Sequence, residues 1–256
     1  MKGSDTMSMV AVKQPYILFL VNDTNPQNPR AEQDNFGKMI CFHRRYNIGD
    51  EHKFNDPDEF LVDLLEEKLG DTDAAEDKFA ELSSEVDDTL YKSQYGQYRK
   101  AIHEKILQFL SSSYVIEPIF MYDHSGITIN TKGFSCPWDS GQVGWIFVSH
   151  NTIEKEFGQI NDETIEKAKA LLKSEVKEYD YYLTDQCYGF RLYKSNEEIA
   201  SCWGFSGEIR DVQNEIKEFL PEGCKEIVES LAYRYDVADI SSVLEENKTL
   251  NEELEV

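Results

Sequence analysis

Positive charge is what this sequence lacks most. Twenty-six Lys and Arg stand against 49 Asp and Glu over 256 residues, a net charge of −23. Nucleic acid and anionic membrane both repel such a chain, so neither is expected as a direct partner. Long apolar runs are also missing. The longest, Tyr16 to Val21, is strand-sized, far short of the roughly 20 residues of a membrane span. No small-residue cleavage site comes after it, so it does not read as a secretion signal. Cysteines are few: Cys41, Cys136, Cys187, Cys202 and Cys224. An odd, widely spaced set reads as reduced thiols in a cytoplasmic protein rather than as a disulfide framework. There is no C-x₂₋₄-C knuckle, so no structural metal is expected. There is no Walker A loop or G-x-G-x-x-G, and no cofactor is expected. Internal repeats are absent as well.

What is present is enough for a core: 40% hydrophobic and 12% aromatic residues, which excludes a wholly disordered chain. The negative charge is concentrated. Residues 50–90 hold 16 acidic and three basic side chains, and residues 236–256 hold seven and one. Residues 15–22 and 38–46 read as strands. Pro57 at a first helical position and Gly70 past the end bound a helix whose Phe60, Leu61, Leu64, Leu65 and Leu69 share a face. Ala75, Phe79, Leu82 and Val86, then Ile102, Ile106 and Leu110, predict a helix over 73–110. Residues 114–121, 127–131 and 143–149 predict strands. Asn151 to Glu154 suggests a capping box on a helix ending at Gly158. The 162–183 stretch holds a three-four rhythm through Ile165, Leu172, Val176 and Tyr179. Residues 187–194 and 198–205 predict a hairpin turning at Ser195-Asn196, with helices at 208–219 and 222–233.

The class implied is α+β: an antiparallel or mixed sheet with helices packed on one face and an acidic helical insertion. Residues 1–49 and 111–235 would form the core domain, 50–110 the insertion and 236–256 an acidic tail. Strands 114–149 and 187–205 are expected in one sheet.

Two features point toward function. On the helix from 73, Asp77, Glu81, Glu85 and Asp88 form a row flanked by Asp73, Glu76 and Asp87. Like charges at this spacing cost about 0.2–0.5 kcal/mol per pair; the ordinary reading of such a run is a solvated helix face, and the concentration of charge in residues 50–90 is what points beyond it. Duplex DNA carries one phosphate per roughly 3.4 Å per strand, and two such helices side by side would imitate that array toward a DNA-binding surface. The second feature is His124 with Cys136 and Asp139, the residue types a thiol nucleophile needs. Its ordinary alternative is turn-forming glycines with Cys136 and Trp138 packed below them. Cys202-Trp203 superficially matches a papain-like signature, but no histidine lies beyond it in the chain, so both are expected in the core.

Three strings carry a resemblance: Asn28-Pro29-Arg30 through Asp34-Asn35-Phe36-Gly37 to Cys41-Phe42-His43-Arg44-Arg45-Tyr46-Asn47-Ile48-Gly49-Asp50; His124 with Phe134 to Gly144; and Ser201 to Phe205. Together they resemble an uncharacterised family of proteins encoded by bacteriophages and mobile elements, across most of the chain outside about 71–110. The resemblance implies no catalytic residues. It implies interference with a host defence protein or another host-takeover interaction. The expected function is therefore inhibition, in the host cytoplasm, of a defence or DNA-binding protein through Asp73, Glu76, Asp77, Glu81, Glu85, Asp87 and Asp88. The alternative is a cysteine-dependent enzyme or small-ligand binder at His124, Cys136 and Asp139. Oligomeric state is left open.

Overall fold

The computed structural model describes residues 9–86, 94–233 and 243–245. Asp87 and Asp88, and the acidic tail apart from 243–245, lie outside the described residues. The element order is β1 (Met9–Lys13), β2 (Tyr16–Asn22), α1 (Pro29–Glu32), β3 (Lys38–Cys41), α2 (Pro57–Leu69), α3 (Thr72–Ser84), α4 (Tyr95–Leu110), β4 (Tyr114–Asp123), β5 (Ile127–Asn130), β6 (Ser140–Ser149), α5 (His150–Phe157), α6 (Asp162–Leu183), β7 (Cys187–Lys194), β8 (Glu197–Ser206), α7 (Ile209–Ile216), a 3₁₀ turn (Lys225–Ser230) and β9 (Ala232–Tyr233). The class is α+β with antiparallel sheets. Among the described residues it contains two sheets, however, not one: β8-β7-β2-β1-β9 and β3-β6-β4-β5. The hairpin β7–β8 joins β2 through pairs such as Leu20↔Phe190 instead of extending the 114–149 strands. Two compact units result, one of residues 1–29 with 178–256 and one of residues 30–177.

In the first unit β2 is central, and both of its faces are covered. Leu18 and Leu20 pack with Phe190, Leu192, Val212, Ile216 and Ile227. Ile17, Phe19 and Val21 pack with Val10, Tyr193 and Val243 on the other side. Burial on both sides is why β2 reads as one continuous apolar run rather than an alternation. Ser195 (φ 49°) and Asn196 (φ 67°) form the β7–β8 turn at the expected place, in the two left-handed positions a tight hairpin requires. Gly189 lies under Trp203, whose ring would be 2.1 Å from a Cβ there. Trp203 is nonetheless 45% exposed and Cys202 is half-buried. The expected core placement of this pair is corrected: β8 is an edge strand, and one flank of it meets solvent.

In the second unit the sheet is covered on both faces. Ile40, Tyr114, Trp145 and Phe147 meet Phe60, Leu61, Leu64, Ile102, Ile106 and Leu110 of α2 and α4. On the opposite face Leu172 and Ile146 converge on Gly37, where an added Cβ would lie 2.2 Å from Leu172. Lys173 reaches Glu117 of β4 at 3.3 Å. Leu172, Val176 and Tyr179 are buried as expected, while Ile165 is half-buried.

Helix ends obey local chemistry. The Asp56 carboxylate accepts from the N–H groups of Asp58 and Glu59, Pro57 opens α2, and Gly70 closes it at φ 77°. The cap of α5 is Ser149, which accepts from the Thr152 N–H, two residues before the expected box at Asn151. The expected 73–110 helix is two helices, α3 and α4. The expected 222–233 helix is the 3₁₀ turn with β9.

Candidate partner-binding surface

The acidic surface is built on α2 and α3, which pack side by side. Ala75 of α3 is fully buried with Leu61 and Leu65 of α2. That turns Asp73, Glu76, Asp77, Glu81 and Glu85 outward, and all five are exposed. The row is not uniformly free. Lys78 pairs with Glu81 on the same helix. Lys105 of α4 reaches Glu85 at 2.8 Å and holds its carboxyl below the usual range. Among the described residues no cation pairs with Asp73, Glu76 or Asp77. The uncompensated charge thus shifts toward the start of α3.

There it meets α2. A groove of about 410 Å³ runs along the two helices, lined by Asp56, Asp58, Glu59, Asp63, Glu66 and Glu76, with Lys53 the one cation among its described lining residues and Phe54 and Val62 as apolar floor. Some of these carboxylates are engaged. Asp63 meets Lys53 at 3.1 Å. Asp58 meets Arg99 and His103; burial works against its charge, yet those two partners hold its carboxyl below the ordinary value. Among the described residues, Glu59 accepts from Asn55 and Glu66 from the Thr72 hydroxyl, neither of them a cation. Glu59, Glu66, Asp73, Glu76 and Asp77 form the patch with unspent charge. Glu59 and Glu66 belong to the 50–90 charge excess, but helical periodicity does not single them out; their placement beside α3 is a tertiary fact.

The other candidates do converge. The Cys136 Sγ lies 3.6 Å from Asp139 Oδ2, and the same oxygen lies 3.5 Å from His124 Nδ1. They sit at one end of the second sheet, where β4 ends and β6 begins. The Asp123 N–H donates to the Asp139 carbonyl, Arg45 pairs with Asp123, and Tyr46 donates to it at 3.4 Å. The order of groups is the informative part. Asp139 stands between thiol and imidazole, so His124 does not meet the sulfur it would have to deprotonate. Trp138 does not pack beneath the loop; it is 91% exposed. Among the described residues no group of three or more His, Cys, Asp and Glu is placed to hold a metal.

The strings that carry the resemblance have structural work. Arg30 is buried, and its guanidinium donates to both oxygens of Asp50, to Asn35, to the Gly37 carbonyl and to Glu175, all at 2.7–2.9 Å. Burial opposes its charge, but Asp50 and Glu175 hold its pKa above the ordinary value. Asp50 also accepts from the Met39 N–H, and Glu175 from those of Phe36 and Gly37. Gly144 lets β3 pass: a Cβ there would sit 2.0 Å from the Ile40 carbonyl oxygen. Among the described residues no helix is long and apolar enough to cross a membrane. No protein-family model matches the chain, and no curated protein or solved structure does either.

Proposed function

We propose that this protein is an acidic binding factor that occupies the basic, nucleic-acid-handling surface of a partner protein in the cytoplasm. The observation that carries this reading is the α2–α3 groove, where carboxylates from two adjoining helices line one apolar-floored channel beside Lys53. A field of this sign repels nucleic acid and speeds association with basic surfaces. The likeness to proteins of phages and mobile elements argues for a host defence protein as the partner. The second reading, thiol chemistry at His124, Cys136 and Asp139, has the convergence of the three side chains in its favour, and the interposed carboxylate against it.

One experiment separates the two. The purified chain is immobilised and offered host proteins retained on heparin, at low and at physiological salt, with duplex DNA as competitor. Captured protein should be released by DNA and by salt, since exposed charges are screened beyond about 8 Å at physiological ionic strength. The variant carrying Glu66→Lys, Asp73→Lys, Glu76→Lys and Asp77→Lys should lose capture while keeping its circular dichroism, and Cys136→Ala should keep both. Equal capture by the fourfold variant would sink the acidic reading, and loss in Cys136→Ala alone would install the second.

A further inference from the structure

A second cleft, of about 320 Å³, lies between α4 and the start of β6. It belongs to the second unit and shares no lining residue with the acidic groove. Its α4 wall presents Gly96, Arg99, Lys100, His103, Glu104 and Leu107, one face of the helix at spacings of three and four. Its floor is apolar and aromatic, with Phe42 and Trp145 facing that wall.

Three independent observations mark this cleft as built to be filled. First, its lining holds two cations, Arg99 and Lys100, against one acid, Glu104, in a chain of net charge −23, although Arg99 also meets Asp58. Among the described residues Lys100 meets Glu104, at a loose 3.7 Å. Second, the indole N–H of Trp145 finds no acceptor among the described residues although the residue is 4% exposed. A buried donor without a partner is costly, and an acceptor entering beside the ring recovers that cost. Third, position 96 is glycine in the first turn of α4. A Cβ built there would meet nothing within 4 Å, and its φ is not in the left-handed region. Glycine in a helix is less stable than alanine, and no close neighbour requires it here. Its effect is to leave the rim of the cleft open.

We propose that this cleft binds a small aromatic carboxylate. The planar body lies against Phe42, and the carboxylate accepts from the Trp145 indole N–H, with Lys100 and Arg99 beside it. The volume suits a single ring with its substituent, at the lower end of ordinary ligand sites. This site shares no lining residue with the acidic groove, although Asp58 of that groove pairs with its Arg99 and His103, and it does not depend on the proposed function.

The test uses benzoate as probe on the full chain labelled with ¹⁵N, read at the three indole N–H resonances. Benzoate should shift the Trp145 signal and leave those of Trp138 and Trp203 in place, with a dissociation constant on the order of 1 mM for a ligand of this size. Gly96→Leu adds bulk at the rim, where a Cβ meets nothing within 4 Å, and improves helix propensity, so it should fold and lose the shift. Lys100→Gln should weaken benzoate about tenfold and leave benzyl alcohol unchanged. Inorganic phosphate should not compete. A Trp145 signal that does not move, a shift that persists in Gly96→Leu, or full competition by phosphate would each overturn the proposal.

Discussion

Arg30 shows what one side chain can fix. Its guanidinium is spent within the second unit, on two carboxylates, an amide and a carbonyl. The partners come from the loop before β3, from the turn after it and from α6, so one guanidinium ties three separate stretches of chain. Removing it leaves Asp50 and Glu175 facing each other with their counter-charge gone. Arg30→Ala should therefore cost about 3–5 kcal/mol, the usual penalty for stranding half of a buried pair. Arg30→Lys should recover part of that, since it restores charge but not the planar fork. Urea unfolding measures both, and a loss near that of an exposed pair, below about 1 kcal/mol, would show the network to be dispensable. His103 sets a pH dependence. Burial pushes its pKa below 6.5, with Asp58 opposing. Around pH 6.5 the unfolded imidazole takes up a proton that the folded one resists. The unfolded state then binds more protons, and stability falls as the pH is lowered through that range. Thermal melts should show the drop, and His103→Gln should flatten it; an unchanged slope in that variant would assign the dependence elsewhere.

Among the elements, α6 and the sheet it covers are the best example of what the sequence makes visible. The three-four rhythm from 162 to 183 marks its length, and Leu172 is fully buried. Leu172→Ala should cost about 2–5 kcal/mol, read as a shift in the urea midpoint at constant slope; a cost under about 1 kcal/mol would contradict its place between Gly37 and Ile146. Helix α2 and the turn at Ser195-Asn196 are equally legible, because proline, glycine and left-handed turn residues act within a few positions of themselves. Pairing between strands does not. Nothing local to Cys187–Lys194 says that its neighbour is β2, far earlier in the chain, rather than β6. Sequence therefore suggests one sheet where the fold has two. Strand β1 escapes detection for a related reason: Met9–Lys13 is five residues long and ends against Gln14-Pro15, so little periodicity accumulates. The same limit applies to the acidic site. The row on α3 is set by period alone, but the quenching of Glu85 by Lys105 and the addition of Glu59 and Glu66 come from helices brought alongside it.

For the molecule as a whole, the division into units has a direction in time. Residues 30–177 form an unbroken stretch, whereas the other unit is assembled from the two flanking segments, 1–29 and 178–256. A ribosome delivers the chain in order, at about 5–20 residues per second. Hairpin β1–β2 is therefore made first and completed last. It waits for about 150 residues, roughly 8–30 s at that rate, before β7 emerges to cover one edge of β2. The inserted unit has no such wait, and can close as soon as α6 is out. Nascent chains stalled shortly beyond α6 should thus resist protease across 30–177 while residues 9–22 remain cleavable; protection of both at that length would contradict the order. During that interval Ile17 to Val21, paired with β1 on one side, has its other edge bare, and it is a stretch of high β-propensity with no proline or charge within it. The birth of the protein, more than its mature form, is when this strand is exposed to aggregation and to the chaperones that prevent it.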